Sequence, residues 1–152
     1  MVEITKNLFI GDDNDFKSVD KSWCVIHACK EPYHRGLLGY RTPGCPKCDE
    51  YYFAERGNVL YLNLVDANDV RYIPKIVIDK ALSFIEEHIE DNKILVHCNL
   101  GQSRSASIGL LYLRRIGYYD ELNAIQGMSE YKNLYEKFNP NPGMTQYVIQ
   151  NW

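Results

Sequence analysis

The segment KILVHCNLGQSRSASIGLLYL, residues 93–113, constrains this chain more than any other stretch. Ile94–Val96 is short, apolar on both faces and bounded by polar residues, which is the pattern of a strand in the middle of a sheet. The run SASIGLLYLRR that follows is apolar nearly all round, so it reads as a helix packed between other elements rather than lying on the surface. A doubly covered strand feeding a buried helix through a loop of a few residues requires a layered α/β domain with parallel strands.

The rest of the chain supplies the other elements of that architecture. Asn7–Ile10, Trp23–Ala28 and Val59–Val65 are rich in β-branched and aromatic residues and read as strands. Ile78, Ala81, Leu82, Ile85 and Ile89 form one stripe of an amphipathic helix beginning near Pro74. Asp120 is positioned as the N-cap of a helix holding Leu122, Ala124, Ile125 and Met128. Asn139-Pro-Asn-Pro-Gly143 breaks the chain, and a last helix carries Met144, Tyr147, Val148 and Trp152. The expected fold is α/β, a central and mostly parallel sheet flanked by helices, in a single domain over residues 1–152.

Residues 29–58 stand apart. They hold Pro32, Pro43 and Pro46, Gly36, Gly39, Gly44 and Gly57, and mixed charge without a sustained period, and so read as a loop-like insertion of the lid or recognition kind. Cys45-Pro-Lys-Cys48 within it invites a zinc or redox reading, but no second ligand pair follows at clean spacing, and unpaired surface thiols are the default.

Composition removes several function classes. Seventeen Lys and Arg against twenty Asp and Glu give a net charge of −3, so no basic field marks a nucleic-acid or anionic-membrane partner. No apolar stretch reaches membrane-spanning length, and the opening MVEITKNLFIGDD reads as neither a signal nor a transit peptide. Five cysteines, an odd number at low density, fit reduced thiols in a cytoplasmic protein better than a disulfide scaffold.

The loop between strand and helix carries the chemistry. Cys98 ends the strand and Arg104 opens the helix, bracketing Asn99, Leu100, Gly101, Gln102 and Ser103. A loop closing between those ends turns successive N–H groups inward as an anion-sized nest, reinforced by the positive end of the helix dipole. Arg104 grips two oxygens of a phosphate in a planar fork. A thiol aimed into such a ring is expected to act as the thiolate nucleophile, which makes Cys98 the candidate. Ser105 supplies a hydroxyl to the sulfur and eases its departure, and His97 fixes the loop through backbone hydrogen bonds. His34 and His88 have no role in this reading.

HCNLGQSRS resembles the HC-x5-R-S signature of the cysteine-dependent protein tyrosine phosphatase superfamily, and the surroundings are most similar to its dual-specificity branch. NLFIGD resembles that branch's opening strand, VLYLNLVDAND its acid-bearing strand and loop, and KFNPNPGMTQYVIQNW its closing turn and helix. The resemblance spans roughly residues 5–152 and rests on several ordered matches. It implies a monomeric phosphoprotein phosphatase with no metal and no cofactor. The implied substrates are phosphotyrosine and, beyond it, phosphoserine and phosphothreonine. The general acid implied is Asp66, 32 residues before Cys98 and directly after the strand's last apolar residue, with Asp69 as the alternative. The insertion is longer than the branch leads one to expect. Two rival readings are a phosphoinositide or RNA 5′-phosphate phosphatase and a catalytically silent phosphoprotein-binding module. The first is disfavoured by the absence of lysine from Asn99–Ser103, the second by the presence of nucleophile, arginine and hydroxyl together.

Overall fold

A computed structural model describes all residues, 1–152. Its sheet has six strands: β1 (Val2–Thr5), β2 (Leu8–Gly11), β3 (Cys24–His27), β4 (Phe53–Arg56), β5 (Val59–Leu62) and β6 (Ile94–His97). They lie in the order β1-β2-β6-β3-β5-β4. β2, β6, β3 and β5 run parallel, while β1 and β4 add antiparallel edges through tight turns. β6 is the central, fully buried strand that its apolar run requires.

The helices are α1 (Asp13–Phe16), α2 (Arg35–Leu38), α3 (Lys75–His88), α4 (Arg104–Arg115), α5 (Ala124–Leu134) and α6 (Pro142–Gln150). The expected stripe on α3 faces inward, with Ile78, Ala81, Leu82 and Ile85 buried. Every residue of α4 from Arg104 to Leu113 is buried, as its all-round apolar character demands. A Cβ at Gly109 would lie 2.7 Å from the Ile10 side chain, so only glycine lets α4 approach β2 this closely. Because side chains alternate along a strand, the opposite face carries His27 and His97. Phe16 of α1 and Tyr33 pack against both rings there.

Three local expectations differ. The 29–58 segment is not loop throughout: it forms helical turns from Lys30 to Leu38, and its end pairs with β5 as edge strand β4. β5 stops at Leu62 rather than Val65. The cap of α5 is Asn123, not Asp120. Asn123 Oδ1 accepts the Gln126 backbone N–H at 2.9 Å, and Gln126 Oε1 accepts that of Asn123 at 3.0 Å. This reciprocal box satisfies two otherwise orphaned donors, whereas Asp120 pairs with Arg114.

Candidate active site

The parallel strands end together, and the loop from β6 to α4 rises at that end of the sheet. Cys98 is 2% exposed, and its Sγ lies 3.2 Å from Ser105 Oγ, which also donates to the Gly11 carbonyl at 3.2 Å. Gly101 makes the turn with φ +70°, a region that glycine enters without steric cost. Its carbonyl accepts the Tyr135 hydroxyl at 2.7 Å, and the Gln102 carbonyl accepts the Asn139 N–H at 2.9 Å. The carbonyls at the middle of the loop are thus held from outside. Its amides are not: none of the backbone N–H groups of Asn99, Leu100, Gly101, Gln102 and Ser103 donates to another protein group. A short loop with engaged carbonyls and unengaged N–H groups at a helix start is a nest for an oxyanion.

Arg104 is 7% exposed and its hydrogen bonds go to neutral oxygens, the Leu64 carbonyl at 3.0 Å and Asn99 Oδ1 at 2.8 Å. Its Nε is buried without a partner. A buried guanidinium with no carboxylate beside it is costly in isolation and is complemented by a bound dianion.

Asp66, Cys98, Asn99, Leu100, Gln102, Ser103 and Arg104 line one cavity of about 570 Å³ together with Asn139–Pro142. Asp66 is not held by strand pairing as expected, since β5 ends four residues earlier. Asn141 holds it instead, donating from Nδ2 to Asp66 Oδ1. A Cβ at Gly143 would meet the Ala67 carbonyl, so the acid loop lies directly against the start of α6. Asp69 is committed elsewhere. It caps the turn Val70–Tyr72, accepts the Arg71 N–H at 2.9 Å and pairs with the Arg71 guanidinium at 2.7–3.1 Å. Those Arg71 side-chain hydrogen bonds hold its carboxyl below the ordinary value.

His97 reaches the side chains of two other segments. Its Nε2 lies 2.6 Å from His27 Nδ1, and its Nδ1 faces Asp13 Oδ1 at 3.3 Å. Burial pushes both rings' pKa values down, to about 4 for His97 and about 3 for His27. Support for the loop runs on through Asp13, whose Oδ2 accepts Asn99 Nδ2 at 3.1 Å. Asp13, Tyr135 and the Asp66-holding role of Asn141 carry no mark in the local pattern. Cys45 and Cys48 are separate free thiols away from this cavity.

A doubly covered parallel sheet delivering a cysteine into a ring of free amides, with a buried arginine across it, defines a phosphate-binding domain of the cysteine-phosphatase class. The family model for the dual specificity phosphatase catalytic domain matches residues 42–151, and the chain belongs to that family. A probable dual specificity protein phosphatase of Dictyostelium discoideum is 43% identical over 58 residues, 36% of this chain and 25% of that protein. The chain therefore spans about a quarter of the length of this curated relative. The fold is shared with DUSP15 at a TM-score of 0.65 and 20% identity, over 100% of this chain and 87% of that one. It is also shared with the human tyrosine phosphatase-like serine/threonine/tyrosine-interacting protein at 0.62 and 19%, over 97% and 92%. No helix is long and apolar enough to cross a membrane.

Proposed function

We propose that the chain hydrolyses phosphomonoesters on proteins through a phosphocysteine intermediate, phosphotyrosine first among them. The observation that carries this reading is the ring of unengaged N–H groups from Asn99 to Ser103 around a buried, carboxylate-free Arg104. Such a site is complementary to the equatorial oxygens of a transferring phosphoryl group, where charge is spread in the transition state. The Cys98 thiolate attacks phosphorus, the P–O bond to the substrate breaks, and Asp66 gives its proton to the leaving oxygen. Water then attacks the phosphocysteine, the Asp66 carboxylate takes its proton, and the P–S bond breaks to return the thiolate. Ser105 Oγ, 3.2 Å from the sulfur, turns its single proton from the Gly11 carbonyl to that departing thiolate.

Asp66 is favoured over Asp69 by placement. Asp66 lines the same cavity as Cys98 and Arg104, while Asp69 is spent on its own turn and on Arg71. Protein substrates are favoured over phosphoinositides because no lysine stands within Asn99–Ser103 to meet additional phosphates.

Turnover of p-nitrophenyl phosphate, lost in Cys98→Ser, tests the nucleophile. Comparing Asp66→Ala with Asp69→Ala tests the acid: general acid catalysis is worth ~10²–10⁴-fold, and the loss should grow with poorer leaving groups. A full-sized loss in Asp69→Ala with Asp66→Ala near wild type would reverse the assignment. Trapping by the Cys98→Ser protein across phosphopeptides and phosphoinositides then tests substrate class, and preferential retention of the lipids would overturn it.

A further inference from the structure

On the sheet face away from α4, three side chains from three different segments converge beneath the phosphate loop. Asp13 opens α1, Cys29 follows β3 and His97 ends β6. One carboxylate oxygen, the Cys29 sulfur and one imidazole nitrogen all lie within 4.8 Å of one another. Cys29 and His97 are fully buried, and the Asp13 side chain is 32% exposed, which leaves a way in from solvent. The hydrolysis described above uses Cys29 for nothing.

A second observation is independent of that clustering. The Nε2 side of His97 is engaged by His27, but its Nδ1 is buried without any hydrogen-bond partner. Asp13 Oδ1 nevertheless lies 3.3 Å from it. An imidazole nitrogen facing a carboxylate at that distance, without the alignment of a full hydrogen bond, is weakly satisfied as a pair and well satisfied by a cation shared between them.

We propose that Asp13, Cys29 and His97 bind a zinc-class divalent cation, and that its occupation weakens the hold of the phosphate loop on its anion. One thiolate, one carboxylate and one neutral imidazole select a borderline-soft ion over magnesium or calcium, and together they balance its charge. The Cys29 thiol proton passes to solvent on binding. Tetrahedral bonds of ~2.0–2.3 Å put ligand atoms roughly 3.3–3.8 Å apart; His97 Nδ1 and Asp13 Oδ1 already have that spacing at 3.3 Å, so any closing, of up to about 1 Å, is toward the Cys29 sulfur. Asp13 can supply that movement because it alone of the three is partly exposed. The outer contacts are already in place: His27 orients the His97 ring, and the Tyr33 hydroxyl donates to Asp13 Oδ1 at 2.8 Å. A solvent water takes the fourth position.

The coupling follows from what Asp13 holds. Its Oδ2 accepts Asn99 Nδ2, and Asn99 Oδ1 accepts the Arg104 guanidinium. Drawing Asp13 onto a cation loosens Asn99 and, through it, the arginine. This second half rests on the phosphate-loop reading given above; cation binding itself does not.

The test uses the full chain carrying Cys98→Ser, Cys45→Ser and Cys48→Ser, which removes the nucleophile and the loop thiols as competing ligands. Titration with cobalt(II) should give a thiolate-to-cobalt charge-transfer band and tetrahedral visible bands at one equivalent, and zinc should displace them. Adding Cys29→Ser should abolish the charge-transfer band. Asp13→Ala, at a more exposed position, should weaken binding by at least about tenfold. No saturable band, or one that survives Cys29→Ser, overturns the site. In the same background, a phosphotyrosine peptide should bind at least about fivefold more weakly with the site filled, and no such shift should appear once Cys29 is serine. Unchanged peptide affinity at saturating cobalt overturns the coupling. Failure of the peptide to bind even without cobalt would count against the phosphatase reading and leave the cobalt bands to decide the site.

Discussion

Replacing Gly101 with alanine separates local backbone strain from the close packing that shapes the phosphate loop. Gly101 has φ +70°, so an alanine there costs ~1–2 kcal/mol for left-handed backbone alone. Its new Cβ would also lie 2.9 Å from the Gly11 carbonyl oxygen, 3.0 Å from the Gly11 carbonyl carbon and 3.1 Å from the Tyr135 hydroxyl. Two of these atoms are backbone and cannot rotate away, so overpacking adds ~1–3 kcal/mol. Gly57 provides the control: its φ is +59°, and a Cβ there would meet nothing within 4 Å. Gly57→Ala should therefore carry only the backbone cost, lowering Tm by roughly 2–8 °C, while Gly101→Ala should lower it by roughly 4–20 °C.

The catalytic effect should diverge further than the stability effect. Gly11 also accepts the Ser105 hydroxyl, and Tyr135 holds the Gly101 carbonyl, so relief of the clash must move the loop relative to both. A displacement near 1 Å at a reacting centre costs on the order of 10² in rate. Thermal melts and p-nitrophenyl phosphate kinetics on the two variants, with wild type, measure both effects. If Gly101→Ala melts together with Gly57→Ala and keeps kcat within a few-fold, the close contact between the loop and Gly11 does not matter and the reasoning fails.

Asn141 caps α6 by accepting the Met144 N–H at 2.8 Å and also holds Asp66. Asn141→Ala should thus cost ~1 kcal/mol in urea unfolding and reduce kcat more than that small destabilisation accounts for; an unchanged kcat would separate Asn141 from the acid. Ser105→Ala should slow breakdown of the phosphocysteine more than its formation, giving a pre-steady-state burst of p-nitrophenol, and a burst-free trace with unchanged kcat would remove Ser105 from the second step. The neutral burial of His27 and His97 has a pH signature, because their folded pKa values, about 3 and about 4, lie below the ordinary histidine value of 6.5. The unfolded chain takes up protons on these rings first, so stability is fully present above pH 6.5 and falls as pH drops towards 4. Urea unfolding from pH 7 to 4 should show this slope, and His27→Gln should flatten it. An equal slope in that variant would place the acid sensitivity elsewhere.

Local pattern carried much of this protein. Ile94–Val96 is apolar on both faces, and it lies in the centre of the sheet; the residues after it are apolar all round, and α4 is buried on every side. Cys98, Arg104 and Ser105 are legible as a group because only seven consecutive peptide bonds separate the first from the last, and strand-to-helix geometry alone brings them to one end of the sheet. The edge strands were not legible. β1 and β4 pair on one side only and expose much of their surface, so VEIT and FAER show little apolar patterning.

What the tertiary structure alone decided is which distant groups hold the loop and which of the two carboxylates stands at the cavity. Asp66 and Asp69 are near-equivalents along the chain; they part because Asn141, 75 residues away, reaches one, while Arg71 takes the other. Tyr135 grips the Gly101 carbonyl across 34 residues, and Asn99 meets Asp13 across 86. Periodicity and spacing report which face an element buries and what chemistry a short segment can hold. They carry no record of contacts whose geometry exists only once separate elements have packed, and those contacts position both the candidate acid and the phosphate loop.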